Sequence, residues 1–414
     1  MCAVNETVQP LSILMVAPQP FFRARGTPFS VLHRIRALVS QGHRVVLVTY
    51  PFGEDVALPG LTIVRCSKPR LVNDVKIGPS GAKLILDLHL YRATVRELER
   101  QRFDVLHSHE EAAFFAVSLA KRYGIPHIYD MHSSLPQQLG NFGRYNLAPV
   151  RKVFERLERY VVDSCDGVIT ICPDLGELIE HGYPGKRHSM IENTADDTQV
   201  FPPTGQSARA EHGLNGKQIV LYTGTFETYQ GLDLLVDAFQ NVAAAVPAAH
   251  LVMVGGRPQQ VEETRRRVSS LGLSERVTLV GTVHPSRIPA YLDAADLIVS
   301  PRATGTNTPL KIYGYLRSGV PLLATDIFSH TQALSPQIAH LVPPTPEGLE
   351  QGMRRLLTDP DYRDKLAKTA RQHADALYSD HAYIEKVVAF YRLLFPESVN
   401  LSPDSVAGTA YAGS

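Results

Sequence analysis

The chain carries almost no net charge and few cysteines, and each scarcity narrows what it does. Its 42 lysines and arginines face 41 acidic residues, leaving a formal charge of +1. So even a balance lacks the basic footprint of a general nucleic-acid binder. The four cysteines, Cys2, Cys66, Cys165 and Cys172, are scattered without metal-ligand or disulfide spacing. They read as buried, reduced thiols of a cytoplasmic protein. No apolar run reaches the roughly 18 residues of a membrane span. No basic segment followed by an apolar one opens the chain, so no secretory signal is expected. Solenoid-type repeats are absent. No Asp-x-Asp pair stands as a metal clamp, so chemistry without a metal is expected.

What is present is alternation. The 414 residues suffice for two domains with separate cores. Strand and helix patterns follow one another from end to end, which predicts an α/β fold of parallel sheets wrapped by helices. Leu11–Pro20 reads as a buried strand running into a loop. Thr27 and Pro28 then start a helix with Val31, Leu32, Ile35, Leu38 and Val39 on one face, closed by Gly42. RVVLVTY, TIVRC, DVLHSHE, HIYDMHS and GVITIC are further strands of a first half. After Phe201 a Pro/Gly/Ser-rich stretch, Pro202–Lys217, reads as a linker. IVLYTGTF, AHLVMVGG, RVTLVG, LIVSPR, PLLATD and IAHLVP are the strands of a second half. The expected division is residues 1–200 and 201–380, then an amphipathic helix over 381–396. A disordered tail at 397–414 is expected from its small polar composition.

The stretch Ser300–Asp326 carries the most chemistry. A polar Gly/Thr/Asn loop leads into a helix and a buried strand. Thr308 is the expected N-cap, with Pro309 at the first helical position. Ile312, Tyr313 and Leu316 give the helix an apolar side, and Gly319 stops it. A helix start draws anions, and Lys311 and Arg302 add full positive charge. That combination suits a diphosphate. The loop Gln19–Phe29 repeats the device, with Gly26 ahead of Thr27–Pro28 and with Arg23 and Arg25 nearby. Glycine-rich strand ends occur at Gly224–Gly231, at Gly255–Arg257 and at Gly281–Val283, where ligands of such sheets sit. In the first half the strand ends carry His107, His109 and Glu110, then Asp130, His132, Ser133 and Ser134. His107 and His109 are spaced as metal ligands are, yet no further His or Cys stands near, and hydrogen-bonding roles are expected. The basic stretch Lys68–Arg102 carries an apolar stripe of Leu84, Leu88, Tyr91, Val95 and Leu98 at helical spacing. It is expected to pack on a sheet, with contact to an anionic membrane as the second reading.

Thr308–Asp326 resembles the donor-binding signature of retaining family 4 nucleotide-sugar glycosyltransferases, whose members commonly read TPLKLFEYMAAGKPVVATD here. The resemblance extends over about residues 11–396. It implies the GT-B fold: two Rossmann-like domains with parallel sheets facing across a cleft. The first would be the acceptor side, with the helix 381–396 packing back on it, and the second the donor domain. It implies transfer of a sugar from a nucleoside-diphosphate sugar to a hydroxyl acceptor, with retention and without metal or other cofactor. The partners implied are a nucleotide sugar and a glycan or lipid-linked acceptor.

The resemblance also assigns residues. Gly26 and Thr27 would face the donor phosphates, and Gly255, Arg257, Gly281 and Val283 would bracket the base. Asn307, Thr308, Pro309, Leu310 and Lys311, with Arg302, would bind the donor. His132 would lie beside the reacting sugar, with Asp130 and Thr306 as further catalytic candidates. His109, Glu110 and Arg23 would line the acceptor side. Four positions depart from the pattern. Gly224–Gly231 resembles the element GRLxxxKG, but Thr225 and Gln230 replace its Arg and Lys. Two glutamates eight positions apart are replaced by Thr306 and Gly314. These departures keep two alternatives open: a nucleotide-sugar epimerase, and a non-catalytic nucleotide-sugar-binding partner subunit.

Overall fold

The computed structural model describes residues 10–23, 26–70, 72, 75, 81–134, 136, 148–194, 205 and 207–396. Cys2, Arg25, Lys76, most of Pro202–Gln206 and the tail at 397–414 lie outside the described residues. The chain forms two compact units, Met1–Ile191 with Ile384–Ser414, and Glu192–Tyr383.

The first unit runs β1 (Ser12–Ala17), α1 (Gly26–Ser40), β2 (Arg44–Thr49), β3 (Leu61–Arg65), α2 (Gly81–Arg100), β4 (Val105–His109), α3 (Ala113–Tyr123), β5 (His127–Met131), α4 (Ala148–Ser164), β6 (Gly167–Thr170), α5 (Pro173–Gly182) and β7 (His188–Met190). Its seven strands pair in parallel in the order β3-β2-β1-β4-β5-β6-β7. The second unit runs α6 (Ala208–Glu211), β8 (Gln218–Thr223), α7 (Leu232–Ala245), β9 (Ala249–Val254), α8 (Pro258–Ser270), β10 (Val277–Gly281), α9 (Ile288–Ala294), β11 (Leu297–Ser300), α10 (Lys311–Arg317), β12 (Leu322–Thr325), α11 (Phe328–Thr331), β13 (His340–Val342), α12 (Pro346–Thr358) and α13 (Pro360–Leu377). Its six strands, also parallel, are ordered β10-β9-β8-β11-β12-β13. The last helix, α14 (Asp380–Leu394), belongs to the first unit from Ile384 onward.

The strands are apolar runs because both faces of each sheet are covered, so a strand needs no polar face. Ile13–Ala17 of β1 and Val220–Tyr222 of β8 have no solvent exposure. Strand order reverses between β1 and β4 in one sheet and between β8 and β11 in the other. Those two switch points are where an open parallel sheet leaves a crevice at its carboxyl ends. The candidate residues follow these four strands and their neighbours β5, β9 and β10.

Four points differ from expectation. The helix after β11 does not start at Thr308. It starts at Lys311, its preceding residue Leu310 is already helical, and no side chain caps it. The turn before it is closed by Ile312 N donating to Pro309 O at 3.0 Å. The apolar stripe of α2 holds only in its second half: Tyr91, Val95 and Leu98 pack against the core, whereas Leu84 and Leu88 are 74% and 48% exposed. The buried face of the helix runs through Leu86, Leu90, Ala93, Thr94, Glu97 and Leu98. Strand β7 was not anticipated, because His188–Met190 has no apolar run. The Asp359-Pro360-Asp361 pair has metal-clamp spacing but starts a helix: Asp359 Oδ1 accepts from Tyr362 N at 3.0 Å.

In the second unit the loop after β11 lies directly on the turn before α7. Ala303 N donates to Tyr229 O at 2.9 Å. Gly231 makes this approach feasible. Its φ is +70°, and a Cβ there would stand 2.0 Å from Pro301 O. Backbone offers no room to yield, so Gly231→Ala is expected to destabilise the second unit by about 1–3 kcal/mol. Thermal unfolding that leaves the melting temperature of this variant unchanged would contradict the packing described.

Candidate active site

In the second unit the site is built where β8 and β11 end. Gly224 has φ +141° and its N donates to Val254 O at 2.9 Å. A Cβ on Gly255 would meet Gly224 O at 1.9 Å, so the β8 and β9 ends touch backbone to backbone. Gly255 N donates to Gly281 O at 2.7 Å, and Thr282 Oγ1 to Gly256 O at 2.9 Å. Val283 is half-buried in the adjoining core. The ends of β8, β9 and β10 therefore form one continuous shelf.

Lys311 projects from the first turn of α10 under this shelf. Its Nζ donates to Thr223 O at 3.1 Å and Gln230 Oε1 at 3.4 Å. It lies 4.1 Å from the centre of the Tyr222 ring and 5.9 Å from that of Tyr315. Tyr315, four residues on and so on the same helix face, donates its hydroxyl to Thr223 O at 2.9 Å. Burial, then the nearby Arg302 charge, bring the Lys311 ammonium down to about 7. Arg302 holds its own loop, donating from Nε to Thr304 O at 2.8 Å and from Nη1 to Asn307 O at 3.1 Å. Its guanidinium stands 5.2 Å from the centre of the Tyr229 ring, and burial lowers its pKa too. Among the described residues neither cation has a carboxylate partner. A half-buried cation loses part of its hydration, and a bound anion would offset that loss.

The remaining donor candidates are placed as follows. Thr225 contributes its carbonyl, which accepts from Tyr222 OH at 2.7 Å. Gln230 is buried and accepts from Lys311. The Thr308 hydroxyl is buried without a hydrogen-bond partner. Thr306 Oγ1 donates to Asn307 Oδ1 at 3.4 Å, and Gln332 Nε2 donates to Thr306 O. Gly314 lies mid-helix in α10, half-buried. Arg257 is exposed and paired with Glu227 at 3.2 Å. His330 went unnoticed in the sequence. Its Nδ1 donates to Thr325 O at 2.8 Å, so its Nε2 accepts from Ser300 Oγ at 2.9 Å. It is fixed neutral, since burial brings it down to about 4.

In the first unit the carboxyl ends of β4 and β5 gather a buried polar cluster. His107, His109 and Asp130 have no exposure, and His132 very little. Asp130 Oδ2 accepts from Arg34 Nε of α1 at 2.9 Å and from His107 Nε2 at 3.3 Å. A carboxylate only accepts, so His107 carries its proton on Nε2. Its Nδ1 then accepts from Tyr391 OH of α14 at 2.7 Å. His132 Nε2 lies 2.9 Å from His109 Nδ1 and 3.4 Å from Asp130 Oδ1. A proton on that nitrogen is drawn by both neighbours, whereas a lone pair would oppose the carboxylate. His132 is accordingly the Nε2–H form. His109 then bears its proton on Nε2, which is buried without a partner.

Electrostatics follow from burial. Desolvation lowers all three histidines, His132 to about 4. Desolvation alone would raise Asp130, but Arg34, then His132 and His109, hold it well below the usual carboxylate range. Ligand atoms of His107, His109 and Asp130 lie within 4.8 Å of one another, close enough for a metal. Arg34 already occupies Asp130 Oδ2 and sets a full positive charge against any further cation.

Glu110 follows β4 with φ +48°. Thr27 Oγ1, in the first turn of α1, donates to Glu110 Oε1 at 3.3 Å. Burial, then Glu111, raise the Glu110 carboxyl. Glu111 pairs with Lys83, and Tyr50 OH donates to Asp87 Oδ1 at 2.5 Å. Gly26 opens α1 with φ +25°, and Arg23 stands 5.9 Å from the centre of the Phe52 ring.

Comparison with known proteins agrees with this architecture. A family model described as "Glycosyl transferases group 1" matches residues 206–373, and one described as "Glycosyltransferase Family 4" matches residues 24–199. The mannosylfructose-phosphate synthase of Agrobacterium fabrum is 31% identical over 340 residues, which cover 70% of this chain and 72% of that protein. The D-inositol 3-phosphate glycosyltransferase of Jonesia denitrificans is 24% identical over 404 residues, covering 91% and 93%. Among solved structures, sucrose-phosphate synthase from Thermosynechococcus elongatus superposes with a TM-score of 0.75 at 21% identity, covering 93% of this chain and 99% of that one. HepE of Anabaena in complex with UDP gives 0.70 at 15% identity, covering 92% and 100%. The chain belongs to glycosyltransferase family 4, has the GT-B fold, and is an enzyme that transfers glycosyl groups.

Proposed function

We propose that this enzyme moves a sugar from a nucleoside-diphosphate sugar to a hydroxyl of a glycan or lipid-linked acceptor, with retention and without a metal ion. The observation that carries the reading is the pair of half-buried cations, Lys311 and Arg302, that among the described residues lack a carboxylate at the β8/β11 switch point. A diphosphate supplies the missing charge. It is also the leaving group, so the same cations take up the charge that grows as the glycosidic bond breaks. The glycine shelf lets phosphates and base approach backbone. His132, Asp130 and Thr306 are the catalytic candidates. His109, Glu110 and Arg23 are the acceptor-side ones. Leu84, Ile85 and Leu88, exposed on α2 close to exposed Arg92, support contact with an anionic membrane surface. Among the described residues no helix is long and apolar enough to cross a membrane. A cytoplasmic location with peripheral membrane contact fits both features.

Lys311→Ala should weaken UDP binding about tenfold or more, since a charge-assisted hydrogen bond is worth roughly 1.5–3 kcal/mol. Calorimetry giving an unchanged affinity would remove Lys311 from the site.

The pH dependence has a definite sign. In the free site Lys311 is half-protonated near pH 7, and a bound diphosphate favours the ammonium and so raises its pKa. Between the free and bound values binding takes up a proton. Through Lys311, UDP affinity should therefore fall as pH rises above about 7. Calorimetry in buffers of different ionisation enthalpy measures the uptake. Proton release, or affinity that rises with pH, would contradict the assignment.

Transfer activity should survive EDTA. A sharp loss restored by magnesium or manganese would place a metal in the reaction.

A further inference from the structure

The histidine cluster of the first unit poses a question of charge. Three imidazoles surround one carboxylate at a point no water reaches. A carboxylate in that position draws a proton onto one of the imidazoles unless a permanent positive charge satisfies it first. The groups facing Asp130 come from four elements: Arg34 from α1, His107 and His109 from β4, His132 just after β5, and Tyr391 from α14. Among the described residues Arg34 is the one permanent cation of the set. His127, on the far side of His107, is engaged by the Ser108 hydroxyl at 2.7 Å.

We propose that Arg34 is a positioning residue for His132. Its guanidinium balances Asp130, so the surrounding histidines stay neutral and His132 keeps the Nε2–H form. The geometry divides the labour between the two carboxylate oxygens. Oδ2 is taken by Arg34 Nε and His107 Nε2, and Tyr391 fixes the His107 ring from behind. Oδ1 is left to face His132 Nε2. Arg34 and Asp130 cancel each other's charge, so no proton is needed to balance the carboxylate. Without Arg34 the carboxylate's charge is unbalanced, and uptake of one proton restores the balance. That proton would reside on an imidazole and turn a neutral ring into an imidazolium. An imidazolium beside a centre that develops positive charge would oppose the reaction, whereas a neutral ring does not.

The inference rests on the reading of His132 as the histidine beside the reacting sugar. The test separates the two. Ring-nitrogen NMR of histidine-labelled protein reports tautomer and charge whether or not sugar is transferred. In the wild type His107 and His132 should give neutral Nε2–H signals across about pH 6 to 9. In Arg34→Met an imidazolium should appear at neutral pH, and kcat should fall about tenfold or more with donor KM nearly unchanged. Its kcat should recover as pH rises and the extra proton leaves, where the wild-type profile is flat. Arg34→Lys should restore the neutral spectrum and most of the activity. Should Arg34→Met fail to fold, Arg34→Met with Asp130→Asn removes both charges and should return folded protein with neutral imidazoles. Neutral histidines in Arg34→Met, or an imidazolium in the double variant, would overturn the proposal. So would equal, pH-independent losses in the Lys and Met variants. A wild type that transfers no sugar from any donor tried would defeat the transfer reading alone, leaving the spectra to decide on Arg34.

Discussion

No water reaches the carboxyl end of β5, so a charge placed there must find its partner within the chain. Asp130 is that charge. Arg34 answers it from α1 at 2.9 Å, and the ring positions of His107, His109 and His132 follow from which carboxylate oxygen remains. The first unit thereby closes its own charge account.

The second unit is arranged in the opposite sense. Its candidate site also lies at a sheet switch point, yet Lys311 and Arg302 are half-buried against carbonyls and aromatic faces rather than carboxylates. Carbonyl dipoles and ring quadrupoles soften the cost of burying a cation without cancelling its charge. The family pattern carries Arg and Lys at the positions where Thr225 and Gln230 stand here. The Lys311 ammonium lies 3.4 Å from Gln230 Oε1, so positive charge reaches the neighbourhood of that loop from a different element. A neutral Gln at 230 is compatible with this arrangement, since a second ammonium at that distance would repel the first.

Most of the architecture was legible because it rests on apolar runs. Strands buried on both faces leave a near-continuous hydrophobic signature, and β1, β2, β8, β9 and β11 each carry one, whereas β4 and β5 have only the short apolar pairs Val105–Leu106 and Ile128–Tyr129. The histidines and Asp130 were legible because residues that end parallel strands stand at the crevice. What failed was local or very distant. Thr308–Pro309 looks like a helix start, but the Arg302 side chain ties up Thr304 O and Asn307 O and delays the helix to Lys311. The stripe on α2 failed in its first half, where Leu84 and Leu88 are apolar yet exposed, because apolar spacing alone does not tell an exposed face from a packed one. Arg34 and Tyr391 gave no signal, being 96 and 284 positions from the groups they contact. Tyr315 did carry one: an aromatic four residues after Lys311 shares its helix face.

The contact between Tyr391 and His107 also bears on how the first unit is completed. The unit's sheet is made of chain that ends at β7, yet its polar cluster lacks one member until α14 arrives, after the whole second unit. Phe390 and Leu394 reinforce the same docking. They lie so close to Gly167 of β6 that a Cβ there would stand 2.8 Å from Phe390 Cζ and 2.9 Å from Leu394 Cδ1. Closing so long a loop carries an entropic cost that grows only with the logarithm of its length, so a folded second unit between the contacts adds little to it. What the helix contributes is specific. Its apolar side covers β6, and its one hydroxyl at that point fixes His107 as a donor to Asp130. Removing the Tyr391 hydroxyl alone, as in Tyr391→Phe, would leave a buried imidazole nitrogen unpaired, beside the carboxylate on which the order of the cluster depends.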